Sequence, residues 1–156
     1  MLFRSDAAVD GVGIWNQPRR NGLAAVQHLG AERIARIAAA EGISQLVHIS
    51  AIGADRESAS EYARTKAMGE VGVLSHFPDA VILRPSVIFG PEDQFFNKFA
   101  KMTRLGPVLP VVGSATRFQP VYVDDIAQAA AIGVMGLADP GVYALGGPDV
   151  RTLREL

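Results

Sequence analysis

The chain has 156 residues, 49% of them hydrophobic, with 15 Lys and Arg against 16 Asp and Glu. That length supports one domain with a real core, and near-neutral, interspersed charge leaves no electrostatic footprint for nucleic acid or a strongly anionic membrane. The absence of cysteine excludes disulfides and thiolate metal sites and fits a reducing compartment, and no apolar run reaches the roughly 18 residues of a membrane-spanning helix.

In chain order, residues 9–14 form a first strand candidate. Asn21 is placed to cap a helix running to residue 41, with Leu23, Val26, Gly30, Ile34 and Ile37 recurring at steps of three and four as its buried stripe and Gly42 closing it. Residues 46–49 are a continuous apolar strand suited to a sheet covered on both faces. Ser58 or Ser60 caps the next helix, which runs through Met68, Val71 and Leu74 and ends before Pro78.

Residues 80–83 form a further strand, leading into a turn framed by Pro85 and Pro91. Asp93 can cap a helix over 94–104, broken by Leu105-Gly106-Pro107; residues 108–112 read as a short strand and 113–119 as polar loop. Asp124 is placed as the N-cap of a helix over 125–137, residues 142–145 as a last strand, and Thr152 as the cap of a further helix. Strands alternating with helices give an α/β, doubly wound parallel sheet.

The chemistry centres on Tyr62 and Lys66. Four residues apart on a helix, they share a face, and a nearby ammonium would draw the phenol down from its reference pKa of about 10. Ser50, at the end of a strand, could polarise a substrate carbonyl. Taken alone, Tyr-x-x-x-Lys is also the pattern of a solvated surface pair. Gly11-Val12-Gly13 is no phosphate fingerprint, because it lacks a third glycine and an immediate helix. His28, His48 and His76 lack ligand spacing, so no metal is expected. Open parallel sheets bind ligands beyond the carboxyl ends of their strands, which is where Gly13, Ser50 and Pro85 fall.

Four motifs occur in a fixed order: Val47-His48-Ile49-Ser50, Tyr62-x-x-x-Lys66, Leu83-Arg84-Pro85 with Phe89-Gly90-Pro91, and Val121-Tyr122-Val123-Asp124-Asp125. In these the chain resembles the extended and atypical short-chain dehydrogenase/reductases, the superfamily that also holds NAD-dependent epimerases and dehydratases. Ser50-Ala51-Ile52-Gly53-Ala54-Asp55, Phe89 to Asn97 and Thr116 to Val123 are most similar to the branch containing the accessory subunit of respiratory complex I.

The resemblance starts at the family's fourth strand. It implies an N-terminally truncated fragment: a partial Rossmann domain over residues 1–90, lacking the first strands and the Gly-rich turn, and part of a small substrate-side subdomain over 91–156. It further implies Tyr62 as acid/base, Lys66 as ribose holder and tuner of Tyr62, and Ser50 as partner of the reacting oxygen. Gly13, Pro85, Ser86 and Val87 would join these three as cofactor-binding residues, with backbone polar groups after Pro85 offered to the carboxamide. Phe95, Arg117 and Tyr122 would stand on the substrate side, although Phe95 and Tyr122 also suit a core and Asp124 suits a helix cap better than catalysis.

The implied cofactor is NAD or NADP, bound weakly or not at all by this chain. The implied partners are the dinucleotide and respiratory complex I subunits. The implied location is the cytoplasm or the cytoplasmic face of the inner membrane. Three functions follow: a complex I accessory or assembly-like protein that binds NAD(P)H; an active reductase, epimerase or dehydratase; or a redox-sensing regulator, a reading weakened by the intact Tyr62 and Lys66.

Overall fold

The computed structural model describes residues 5–14, 22–93, 96–97 and 114–155. The expected cap Asn21, most of the helix over 94–104 and the strand over 108–112 lie outside them. In chain order the elements are β1 (Ala7–Asp10), a π-helical turn (Ala24–Gly30) continuing into α1 (Ala31–Ala40), β2 (Gln45–Ile49), α2 (Glu61–His76), β3 (Val81–Pro85), β4 (Ile88–Phe89), β5 (Arg117–Phe118), β6 (Val121–Tyr122), α3 (Val123–Val134), β7 (Gly141–Leu145) and β8 (Arg151–Thr152).

Four strands pair in parallel in the order β1-β2-β3-β7. Parallel neighbours require crossovers, and the helices between them cover both faces. Alternation along β2 shows the two sides directly. Leu46 packs with Ala31, Ala35, Ala38, Val73 and Phe77 under α1 and α2. Val47 packs with Val81 and Leu83 against Ala129, Ala130 and Val134 of α3. The sheet is thus the α/β, Rossmann-type arrangement that the alternating elements predict. Two small pairs, β4 with β6 and β5 with β8, stand beyond its carboxyl ends.

The first strand is shifted from its expected place. Pairing with β2 runs from Ala7 to Asp10, so Gly11 to Ile14 leave the sheet as a loop. The buried stripe of the first helix also differs. Leu23, Gln27, Ala31, Ala35 and Ala38 face inward, whereas Ile37 is 45% exposed. The reason lies in α2. A Cβ at Gly69 would fall 2.2 Å from the Gln27 carbonyl oxygen, and one at Gly72 would fall 2.8 Å from Glu32 Cβ. Helix backbones this close admit only small side chains, so Ala31, Ala35 and Ala38 fill the interface and Ile37 is left outside it.

Ser60 is the cap of α2, its hydroxyl accepting from the Ala63 N–H. Asp93 caps as expected, accepting from the Phe96 N–H at 2.6 Å. Asp124 does not. Tyr122 occupies the N-cap of α3 without a side-chain bond, and Asp124 and Asp125 lie in the first turn, where their charges suit the helix dipole. The expected loop over 113–119 contains β5, held by antiparallel pairing with β8. After β8, the Glu155 carboxylate accepts from both the N–H and the hydroxyl of Thr152, each at 2.8 Å, while the Glu155 N–H donates to the Thr152 carbonyl at 2.9 Å, so only the carboxylate half of a capping box is present.

Candidate functional site

Beyond the carboxyl ends of β1, β2 and β3 lies an open cleft of about 1650 Å³. Gly13, Ser50, Tyr62, Lys66, Pro85, Ser86, Val87 and Arg117 all line it. These positions span more than 100 residues of sequence; the parallel sheet brings most of them together, because they end or follow a strand or open the helix behind one, while Arg117 comes from β5, paired with β8. Tyr122 does not line the cleft. Its ring packs on Phe89, a lining residue, at 5.4 Å between centroids. Phe95 lies outside the described residues.

Lys66 is the buried cation of the site, 4% exposed, with Nζ donating to the Ile49 carbonyl at 3.0 Å. Burial lowers its pKa, and the charges of Asp10 and Glu70 work against that loss. An ammonium has three donors, so two remain after Ile49. Tyr62, one turn earlier, behaves differently from the expectation. Burial raises its pKa above 10.0, because desolvation penalises the phenolate.

Ser50 is 4% exposed. Its N–H donates to the Leu83 carbonyl at 2.7 Å, which fixes it to the end of β3. Its hydroxyl donates to the buried Glu70 carboxylate. Glu70 in turn receives Arg84 Nε at 2.8 Å and Nη2 at 2.6 Å, a bidentate fork that also raises the pKa of Arg84. This bridge ties α2, the end of β2 and the end of β3 together.

Beside it, His48 Nδ1 and Asp10 Oδ2 meet at 2.8 Å, both residues nearly fully buried. Burial works to raise the Asp10 carboxyl, but the His48 hydrogen bond and charge, the Val12 N–H and Lys66 outweigh it and hold the pKa below 3.8. Gln27 joins the loop to the helix: its amide donates to the Ile14 carbonyl at 2.7 Å and its oxygen accepts from Thr65 at 2.8 Å.

The turn after β3 offers less backbone than expected. Pro85 and Val87 carbonyls accept from the N–H groups of Ile52 and Val121, at 2.9 and 3.0 Å, and the Ser86 N–H donates to Leu145 at 2.8 Å. The Val87 N–H and the Ser86 hydroxyl take part in none of these bonds. Among the described residues, no group of three or more His, Cys, Asp or Glu is placed to hold a metal ion, and no helix is long and apolar enough to cross a membrane.

Sequence reasoning missed Gln27, Glu70, Arg84 and the Asp10–His48 pair. Glu70 carried a signal, since positions 62, 66 and 70 continue one i, i+4 row. Arg84 stood in the Leu-Arg-Pro motif without an assigned partner.

The family model described as RmlD substrate binding domain matches residues 16–153. The chain belongs to the RmlD substrate-binding-domain family. This RmlD-family chain, a member of the short-chain dehydrogenase/reductase superfamily, is 36% identical over 163 residues to the mitochondrial NADH dehydrogenase (ubiquinone) 1 alpha subcomplex subunit 9 of Arabidopsis thaliana, covering 100% of the chain and 40% of that protein. The Mus musculus subunit of the same name is 39% identical over 129 residues, covering 79% of the chain and 33% of the relative. The chain therefore spans about two-fifths or less of the length of these curated relatives. Among solved structures, the Bordetella bronchiseptica enzyme WbmH, in complex with NAD+, superposes with a TM-score of 0.81 at 18% identity, over 96% of this RmlD-family chain and 55% of WbmH. That likeness concerns the fold.

Proposed function

We propose that this chain supplies the nicotinamide and substrate side of a dinucleotide site in a protein that accompanies respiratory complex I. The observation that carries the reading is the convergence of Tyr62, Lys66, Gly13 and the turn after Pro85 on one cleft. Its fit to a dinucleotide rests on Gly13. A Cβ there would stand 3.4 Å from Lys66 Nζ, so the glycine keeps the ammonium open to a ribose hydroxyl. Lys66 and Tyr62 would hold the ribose, and the Val87 N–H and Ser86 hydroxyl would face the carboxamide. When bound, the dinucleotide would supply hydride chemistry; the chain's residues hold and orient it.

The accessory role is supported by the two subunit relatives, and it implies peripheral association with the membrane that carries the complex rather than a location set by this chain alone. We further assign the segments around β5 and β8, with Arg117, to a substrate side; the expected boundary at residue 90 is too early for the Rossmann part, because α3 and β7 belong to the parallel sheet and its cover. The test is titration with NADH and NADPH by intrinsic and cofactor fluorescence, together with co-purification on complex I. Retention on the complex with no turnover favours the accessory role. A longer form containing this chain that oxidises NADPH, and loses that rate in Tyr62→Phe, favours a reductase, epimerase or dehydratase. That second reading is kept because Tyr62 shares the cleft with Lys66 and Ser50.

A further inference from the structure

We propose that Glu70, fixed by Arg84, is a positioning residue that sets the polarity of Ser50. It draws the hydroxyl proton inward, so the cleft receives an oxygen lone pair and the ligand group seated there is a hydrogen-bond donor. An alcohol or a primary carboxamide belongs to that class, and a ketone does not. The inference rests on reading the cleft as a dinucleotide site, and it departs from the role in which Ser50 polarises a carbonyl.

The donor assignment follows from chemistry. Both oxygens of the Glu70 carboxylate already accept from Arg84, Oε1 from Nε and Oε2 from Nη2, so this carboxylate has only acceptors to offer. In the contact between Ser50 and Glu70, the proton must therefore come from the serine. A hydroxyl has one proton. With it committed at a residue 4% exposed, what Ser50 adds to the cleft wall is its remaining lone pair. The Ser50 N–H is bound to Leu83, so the backbone does not restore a donor. Donation to a ligand oxygen then falls to other residues lining the cleft, Tyr62 among them.

Two measurements on the intact chain test this. The first needs no ligand. Thermal unfolding of Ser50→Ala is compared in the wild-type background and in Glu70→Leu/Arg84→Leu, which removes both charges together so that neither is left buried without its counter-charge. A bond from Ser50 to Glu70 predicts a clear midpoint loss in the wild type and a much smaller one in the double variant. Equal losses in both overturn the proposal.

The second uses two reduced probes, NADH and its 3-acetylpyridine analogue, whose acetyl group accepts but cannot donate. Ser50→Ala should weaken NADH severalfold and leave the analogue unchanged, while Glu70→Leu/Arg84→Leu, with the serine proton released, should tighten the analogue. Weakening of the analogue by Ser50→Ala in the wild-type background overturns the proposal. Where this chain binds neither probe, the comparison is repeated on a longer form containing it; if that folded form binds neither, the dinucleotide reading fails, and the unfolding comparison still decides the direction of the Ser50 bond.

Discussion

A methyl group at position 13 would stand 3.4 Å from Lys66 Nζ and 3.9 Å from Lys66 Cε, so Gly13 and Lys66 form one continuous piece of the cleft wall. Gly13 lies on an exposed loop, and Gly13→Val should change the unfolding midpoint little. Its branched side chain must displace the ammonium or occupy the space in front of it. NADH affinity is expected to fall on the order of tenfold, equivalent to about 1.4 kcal/mol. Unchanged affinity in the valine variant would remove Gly13 from the proposed site.

Tyr62 should titrate above 10.0. The difference between phenolate absorbance curves of the wild type and Tyr62→Phe isolates this one phenol. Since the neutral form is favoured in the folded state, the folded protein holds its proton after the unfolded chain has lost it, and the Tyr62 contribution to stability declines as pH rises beyond 10.0. A difference curve centred near pH 8 would restore the lysine-activated phenolate of the sequence reading.

Lys66 carries the opposite sign. Its folded pKa is below 10.5, so between those two values the unfolded chain binds more protons and stability rises with pH. Relative to Lys66→Met, the wild type should gain stability as pH climbs toward 10.5. Urea midpoints of the two proteins measured from neutral to alkaline pH provide the check, with parallel curves counting against a desolvated ammonium.

Asp10 acts at the acid end. Its carboxyl pKa is below 3.8 in the fold, so its contribution is fully present above the unfolded value and fades as pH falls through the folded one. Asp10→Asn, which leaves buried His48 without its charged partner, should cost roughly 3 kcal/mol at neutral pH. The gap from wild type should narrow only below pH 3.8.

Gly69→Ala should destabilise strongly, by about 3 kcal/mol, because the added carbon meets the Gln27 backbone oxygen at 2.2 Å and neither helix can yield locally. Gly72→Ala meets the Glu32 side chain at 2.8 Å, a softer neighbour, and should cost nearer 1 kcal/mol. A reversed order would mean the two helices are not in backbone contact.

The sheet was legible because its strands are short apolar runs punctuated by glycine and proline, and because Tyr62, Lys66 and Ser50 fall where such a sheet opens. The helix stripe was misjudged at Ile37 because periodicity reports which residues could be buried, not how near the neighbouring backbone comes. Gly69 and Gly72 decide that distance, and they lie 32 or more positions away from Ile37. The hydrogen bonds of Glu70, Arg84 and Gln27 were hidden for a related reason: polar residues are usually read as solvated until a partner from another element is seen. The lowered phenol pKa was expected from proximity alone, whereas burial of Tyr62 turned out to govern it.

The backbone-to-backbone seating of α2 on the preceding helix has an evolutionary consequence. Tyr62 and Lys66 keep their station through main-chain contact, which surface substitutions cannot easily disturb. The segments at the far rim, around Ser86 to Asp93 and Arg117 to Gln119, can then drift and change what is admitted while the acid and cation stay put. A lineage could discard turnover, or acquire a new ligand, by altering the rim alone.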